Sequence, residues 1–524
     1  MEGARDRCEL MRGWPQPLVQ EGIEAIVLIT VNPNRTLWEA LLPEECLGMP
    51  AELVAVDRLL DDPVFFEPYR RHFSAVLGRP SVPLETYLRL MFLKSRHRLS
   101  FEAVVREAAD SLSWRRFCRV PLGERMPHPT TLMKTTTRCG EDVVAALNEA
   151  LLAKAVAARV VKADKIRADT TVVEANVAYP TDSGLMARGV TRMAVMVKAL
   201  QSMGLATRTK ARDRTRSMRR RAHNIGAWLR RRTDDAKEEV RAINAEMADL
   251  AETALGEARR VAVNAGRSLR RAGTEASGKA LALVAELEAT AALVERVVAQ
   301  TRLRISGETP DGSNRVVSLH DPDARPIAKG RLGKPVEFGY KAQVVDNVDG
   351  IVVDYAVFMG NPGDTGLLLP AIERVKARLG RAPRAVTADR GYSDAKVEAG
   401  LTDLGVKTVV IPRTGRPGAA RRATERSRGF RRLVKWRTGC EGRISHLKHA
   451  YAWNRTHFDG LPGVGTWCGL GILAHNAVKI AALIDQDNAA ASPPARPSVS
   501  TPRVRGRPPD TPPQAMAAEP TSPM

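Results

Sequence analysis

No CxxC pair occurs in this sequence: six cysteines, Cys8, Cys46, Cys118, Cys139, Cys440 and Cys468, are scattered along 524 residues. Such spacing predicts reduced thiols in a cytosolic protein. Within "CEGRISHLKH", Cys440, His446 and His449 match no common zinc spacing, and Cys440 falls on an apolar helical stripe. A P-loop is also missing, because "GRLGKP" at 330–335 lacks the four-residue gap and the final Ser or Thr; no ATP use is expected. No apolar run approaches the length needed to span a bilayer, "IEAIVLIT" being too short, and no membrane association is expected. Acids interrupt the first residues, so no cleavable signal pattern is present. Acid is the scarcer charge throughout: 59 Asp and Glu stand against 81 Lys and Arg, for a net charge of +22. This imbalance predicts a polyanionic partner, most simply nucleic acid, with an anionic membrane surface as the competitor.

What the chain does have is a periodicity that changes along its length. Residues 1–35 are poorly patterned and are expected to form an N-terminal extension. From 36 to 155 apolar residues recur at threes and fours, as in "LETYLRLMFLKSRHRLSFEAVVREAADS", which predicts a helical domain of several short helices. "KIRADTTVVEAN" is β-branched and alternating, with Ile166, Ala168, Thr170 and Val172 on one face and Asp169 and Val173 on the other; it predicts a strand within 160–184. Further strands are expected at "VEFGYKAQVVDN", "GIVVDYAVFMG", "RAVTAD" and "KTVVIP", and helices at "DTGLLLPAIERVKARLG" and "SDAKVEAGLTDLG". That order, over 160–184 and 306–485, predicts a mixed sheet with helices against it and an α+β multidomain fold.

Residues 185–305 interrupt the sheet. Their first part, "RTKARDRTRSMRRRAHNIGAWLRRR", holds eleven Arg or Lys against one Asp and includes Arg219, Arg220 and Arg221. A phosphate-contacting surface is favoured there over a solvated face. The second part spaces Val240, Ile243, Met247 and Leu250 for a helical hairpin or short coiled coil. From 486 to 524 the Pro, Ser, Ala and Thr composition predicts disorder. In that tail Arg505-Gly506-Arg507-Pro508 resembles the core of an AT-hook, whose arginines fit a narrow A·T minor groove.

Three acids stand out. Asp169 lies in mid-strand, where Asp is disfavoured unless it has a task or a partner; pairing with Arg167 or Lys165 is the alternative. Asp389 closes the apolar strand "RAVTAD", and sites in open α/β sheets assemble at such carboxyl ends; a turn with Gly391 is the alternative. A helix drawn through 430–451 gathers Leu433, Trp436, Cys440, Ile444, Leu447 and Tyr451 on one stripe and sets Arg437, Glu441 and Lys448 together on its flank. An ion-pair face explains the flank equally well until the other two acids are added. Three converging carboxylates repel one another unless cations sit between them, and hard oxygen ligands suit Mg²⁺ or Mn²⁺. Two such ions activate an attacking oxygen and stabilise a leaving one. Arg437, Arg443 and Lys448 then remain to hold phosphates.

"RADTTVVEANVAYPTDS", "EFGYKAQ", "GNPGDTGLL", "VTADRGYSD" and "WRTGCEGRISHLK" resemble the bacterial insertion-sequence transposases of the DDE type, and residues 36–150 resemble the N-terminal domain these enzymes carry. The resemblance implies an RNase H-like core with Asp169, Asp389 and Glu441 as catalytic, metal-binding acids. The C-terminal signature of the family keeps its spacing at Arg437, Glu441 and Lys448, while its Tyr position is Val434. Implied with it are two Mg²⁺ or Mn²⁺ ions, DNA partners (the element's terminal inverted repeats and a target), and a dimer or larger assembly on DNA. A cytoplasmic, nucleoid-associated location is expected, as is cut-and-paste transposition with no covalent enzyme intermediate. A catalytically inactive DNA-binding derivative and an RNase H-like nuclease without strand transfer are the alternatives.

Overall fold

A computed structural model describes residues 26–28, 41–74, 78–231, 233–272, 277–331 and 334–491. The N-terminal part is helical, as its periodicity predicts: α1 (Ala51–Leu60), α2 (Leu84–Arg96), α3 (Phe101–Asp110), α4 (Leu112–Phe117) and the long α5 (Pro129–Ala157). Ser100 starts α3 by accepting a hydrogen bond from the Ala103 amide, the usual N-cap arrangement. Of the N-terminal extension, Ile26–Val27 forms a two-residue strand parallel to Arg79–Pro80. α2 is buried on nearly every side because it runs through the middle of the layer. Arg89, fully buried on α2, is neutralised by Asp57 at 2.7 Å.

The sheet begins with β1 (Lys165–Glu174) and continues with β2 (Arg325–Arg331), β3 (Lys334–Asn347), β4 (Val352–Met359), β5 (Ala385–Ala388) and β6 (Thr408–Val410). Its order is β2-β3-β1-β5-β6, with β4 also paired to β3. β1 is antiparallel to β3 and parallel to β5, and β5 is parallel to β6. β2 was not foreseen, because "RPIAKGR" has too few apolar residues to stand out as a strand. It pairs with the first half of β3, and β4 pairs with the second half. Around the sheet lie α10 (Thr365–Leu379), α11 (Ala395–Asp403), α12 (Ala419–Arg426), α13 (Arg428–Arg437), α14 (Gly439–Ala450) and α15 (Gly460–Ala491). The fold is α+β, and one continuous apolar core joins α1–α5, the sheet and α15.

Two expectations need correction at α15. Residues 460–489 are long and apolar enough to cross a membrane by length and composition, with mean hydropathy 1.5. The sequence reading missed this run, but 67% of it is buried inside the protein, as in a core helix. The helix also continues to Ala491, past the boundary at 486, although residues 486–489 are exposed; residues 492–524, with Arg505 and Arg507, lie outside the described residues.

Between β1 and β2 stand four helices, α6 (Asp182–Ser202), α7 (Thr215–Leu229), α8 (Asp234–Ala272) and α9 (Gly278–Ile305), around a core of their own. The hairpin expected from Val240, Ile243, Met247 and Leu250 is therefore half of a larger unit. α6 and α7 cover the faces that α8 and α9 would otherwise leave to water. Gly189 on α6 permits this packing: a Cβ there would stand 2.3 Å from Val294 Cγ2 on α9.

Candidate catalytic centre

β1 and β5 run side by side with Ala168 opposite Ala388, so Asp169 and Asp389 are the next residues on neighbouring parallel strands. Adjacent strands lie about 4.8 Å apart. β5 stops at Ala388, and the chain turns at Asp389, whose carboxylate accepts the Arg390 amide at 2.6 Å. Asp169 accepts the Thr170 amide at 2.8 Å. Its side chain is only 15% exposed. Burial pushes its carboxyl up to about 6; the Thr170 amide and then Arg437 oppose this, and the charges of Asp389 and Glu441 add to it.

Glu441 lies in the first turn of α14 and is largely exposed. Arg437 connects it to the sheet, with Nη1 3.2 Å from Asp169 and Nη2 3.3 Å from Glu441. One guanidinium thus serves as the cation shared by two of the three acids. The apolar stripe is where its spacing put it: Leu433, Cys440, Ile444, Leu447 and Tyr451 are buried. The single helix through 430–451 is not, since the chain is broken at Thr438 into α13 and α14. Arg167 on β1 sits against the break. It donates to the Trp436 carbonyl at 2.7 Å, taking an acceptor from the helical ladder, and a Cβ at Gly439 would meet its guanidinium at 2.2 Å.

Arg167 also makes two hydrogen bonds to Asp346 on β3, at 2.7 and 2.9 Å, and stacks over the Trp436 ring at 4.6 Å. Asp346 is fully buried and accepts a further hydrogen bond from a second cation, Arg443 of α14, at 3.3 Å. Arg443 was expected to hold phosphate; here its guanidinium is engaged with Asp346 and packed beside Gly350. Lys448 is half-buried on the same helix. Sequence reasoning missed Arg167 and Asp346 as a pair, although an Asp and an Arg inside predicted strands are the signal that finds them.

A further acid was also missed. Asp364, at the start of α10 in "GNPGDTGLL", accepts from Thr170 at 3.2 Å and pairs with Lys341 at 2.7 Å. It lies directly under the turn after Asp389, where a Cβ on Gly391 would come within 2.9 Å of it. Of the remaining sequence candidates, Arg219 and Arg220 are exposed on α7, 50 residues along the chain from Asp169, while Arg221 is tied to Glu246 at 2.8 Å and to Ser217. Among the described residues no group of three or more acids, histidines or cysteines is arranged to hold a metal ion. The donor set nonetheless fits a hard cation. It is all carboxylate oxygen, and a side-chain cation already stands between Asp169 and Glu441.

Comparison with known families places this geometry. Residues 39–138 match a family described as "Transposase domain (DUF772)", and residues 310–477 match one described as "Transposase DDE domain". A helical transposase domain followed by a DDE domain defines the class as a transposase. The chain belongs to the insertion-sequence DDE transposases. Asp389, Arg437 and Glu441 fall inside the second match, whereas Asp169 and the four-helix unit lie between the two. No curated protein and no solved structure matches the chain.

Proposed function

We propose that this transposase cuts DNA strands at the ends of an insertion sequence and joins the freed 3′-hydroxyls to target DNA, as a dimer or larger assembly in the bacterial cytoplasm. The observation carrying the reading is that Asp169 on β1 lies beside the end of β5, where Asp389 follows, with Arg437 bridging Asp169 and Glu441. The strand order supports an RNase H-like core: the central β1 is antiparallel to β3 on one side and parallel to β5 on the other. Asp169, Asp389 and Glu441 would hold one or two Mg²⁺ or Mn²⁺ ions, which supply acidity to an attacking water or hydroxyl and charge to the leaving oxygen. Arg437 is then free to turn to a phosphate, a bidentate partner for which a guanidinium is well shaped. Lys448, two turns beyond Glu441 on α14, adds a second positive charge to that of Arg437 on α13.

The test is cleavage of a DNA fragment carrying both element ends, with Mg²⁺ and then with EDTA. Nicked and joined products with Mg²⁺, and neither with EDTA while the complex still forms, are the expected outcome. Cut ends that are never joined to a target would favour a nuclease instead, and binding without cutting an inactive derivative.

The four-helix unit supplies sequence-independent affinity in this reading. Many of its arginines are consumed by acids, as in Arg214–Glu257, Arg259–Glu295 and Arg302–Asp249. Arg219 and Arg220 are exposed on α7 and carry no such ion pair among the described residues. Changing both to Gln is expected to weaken binding to every DNA sequence alike. It should also reduce the slope of log K against log salt by roughly 1 to 2, near 0.9 for each phosphate that is no longer neutralised. A filter-binding salt titration that returns the wild-type slope would remove this surface from the DNA path.

A further inference from the structure

Asp364 stands immediately before α10, where an Asp ordinarily caps the helix by accepting an amide of its first turn. It makes no such bond. Its carboxylate turns back to the sheet instead, accepting from Thr170 Oγ1 of β1 at 3.2 Å and pairing with the Lys341 ammonium of β3 at 2.7 Å. The Lys341 side chain is 9% exposed and also donates to the Pro362 carbonyl at 2.7 Å, so it fastens the segment before α10 at two points. Backbone pairing of Gly360 with Tyr340 adds a third. A carboxylate that gives up its own helix cap to hold a buried cation and a strand hydroxyl has a task other than starting a helix.

Alternation along β1 fixes the side on which this happens. Thr170 lies opposite Gln343 and Val172 opposite Lys341, so these side chains share one face of the sheet, and Asp169 points to the other. Asp364 is therefore behind the strand that carries Asp169. Its charge is already met by Lys341, so it does not stand as a fourth ligand beside the three acids. The turn that carries Asp389 rests on the same carboxylate. Residues 390–392 form one short 3-10 turn, and a Cβ on Gly391 would come within 2.9 Å of Asp364 Oδ2. Only glycine lets the turn settle so low. Tyr392 closes the turn from the same face, its buried hydroxyl accepting from Gln343 at 3.2 Å. Asp364 thus meets both acid-bearing pieces of chain, one residue after Asp169 and two residues after Asp389.

We propose that Asp364 is a positioning residue: by holding Thr170 on one side and seating Gly391 on the other, it sets the separation of Asp169 and Asp389 that a shared divalent cation needs. The inference rests on the reading that these acids bind metal, and it gives a task to a carboxylate outside them. Asp364 acts through its neighbours, as the outer partners of a metal site do, and losing such a partner weakens metal binding about 10- to 100-fold.

The test is Mn²⁺ binding to the metal-free full-length protein, followed by loss of the free ion's electron paramagnetic resonance signal, with Asp169→Asn as the blank. Asp364→Asn and Thr170→Val are each expected to weaken, by about tenfold or more, the binding that the blank lacks. Gly391→Ala, which lifts the turn from the other side, should show the same loss. Thr170→Ser keeps the hydroxyl and should return the wild-type affinity. The double variant Thr170→Val with Asp364→Asn should bind no more weakly than the worse single one, because both break one link. Melting in metal-free buffer separates this from damage to the fold. Asp364→Asn leaves Lys341 without its charge partner and should melt lower, whereas Thr170→Val keeps that pair and should melt close to the wild type. Wild-type Mn²⁺ affinity in Thr170→Val or Asp364→Asn overturns the proposal, as does a Thr170→Ser as weak as Thr170→Val. A wild type that binds no more Mn²⁺ than Asp169→Asn overturns the reading of the three acids itself, which sets the two failures apart.

Discussion

Asp169→Asn is expected to lose strand cleavage by a factor on the order of 10³ or more, the scale of removing one group that stabilises developing charge. The same variant should be the more stable protein in metal-free buffer at neutral pH. Burial raises the Asp169 carboxyl from 3.8 to about 6. Between those two values the folded chain holds a proton that the unfolded chain releases, so stability falls as pH rises through the window and stays at the lower level above it. Two units correspond to at most about 3 kcal/mol. Asn carries no charge and escapes this penalty. Its advantage should therefore be full above pH 6 and vanish below about pH 4. Denaturation of both proteins at the two ends of that range measures the stability, and cleavage of end-containing DNA measures the activity. An Asn variant that cuts at the wild-type rate would remove Asp169 from the chemistry.

Asp346→Ala is expected to have the largest structural effect of any single change near the site. It strands Arg167 and Arg443, which are 9% and 15% exposed, without their shared carboxylate. Breaking a buried ion pair from one side costs about 3–5 kcal/mol. It should also free α14 from β3, so that Glu441 loses its fixed place and cleavage falls beyond what the stability loss explains. Replacing the bonded pair together, Arg167→Met with Asp346→Leu, is expected to recover much of the stability, because no charge of that pair is then left buried alone. Melting curves that place the double variant below Asp346→Ala would show that Asp346 acts through something other than these cations. Cleavage assayed on the recovered variant separates holding the fold from holding the helix in register.

The three proposed acids stand out in the sequence because each breaks a local rule. Asp169 interrupts a β-branched run, Asp389 ends an apolar strand, and Glu441 stands among cations beside a stripe of core residues. β1 and β3 to β6 were legible for the opposite reason, since their patterns obey the rule. What escaped depends on residues far apart in the chain. The Arg167–Asp346 pair spans 179 positions, and nothing in either segment names the other. The break at Thr438 lies where Arg167 reaches the Trp436 carbonyl, a contact from a distant strand, so periodicity ran straight through it. Arg443 was assigned outward because charge alone cannot tell a phosphate from a buried carboxylate. β2 is short of apolar residues and exists because β3 offers it an edge.

The four-helix unit begins and ends at one place. Asp182, at the start of α6, accepts hydrogen bonds from Gln300 and Arg304 near the end of α9, at 2.8 and 3.0 Å. The chain thus leaves the sheet after β1 and is handed back close to its point of departure. Pairing β1 with β3 formally closes a loop of well over a hundred residues, which is slow and entropically unfavourable for a floppy chain. A self-contained bundle with adjoining ends turns that long excursion into a short one. Once the bundle has condensed, the strand bearing the first acid meets its neighbour almost as though nothing lay between them.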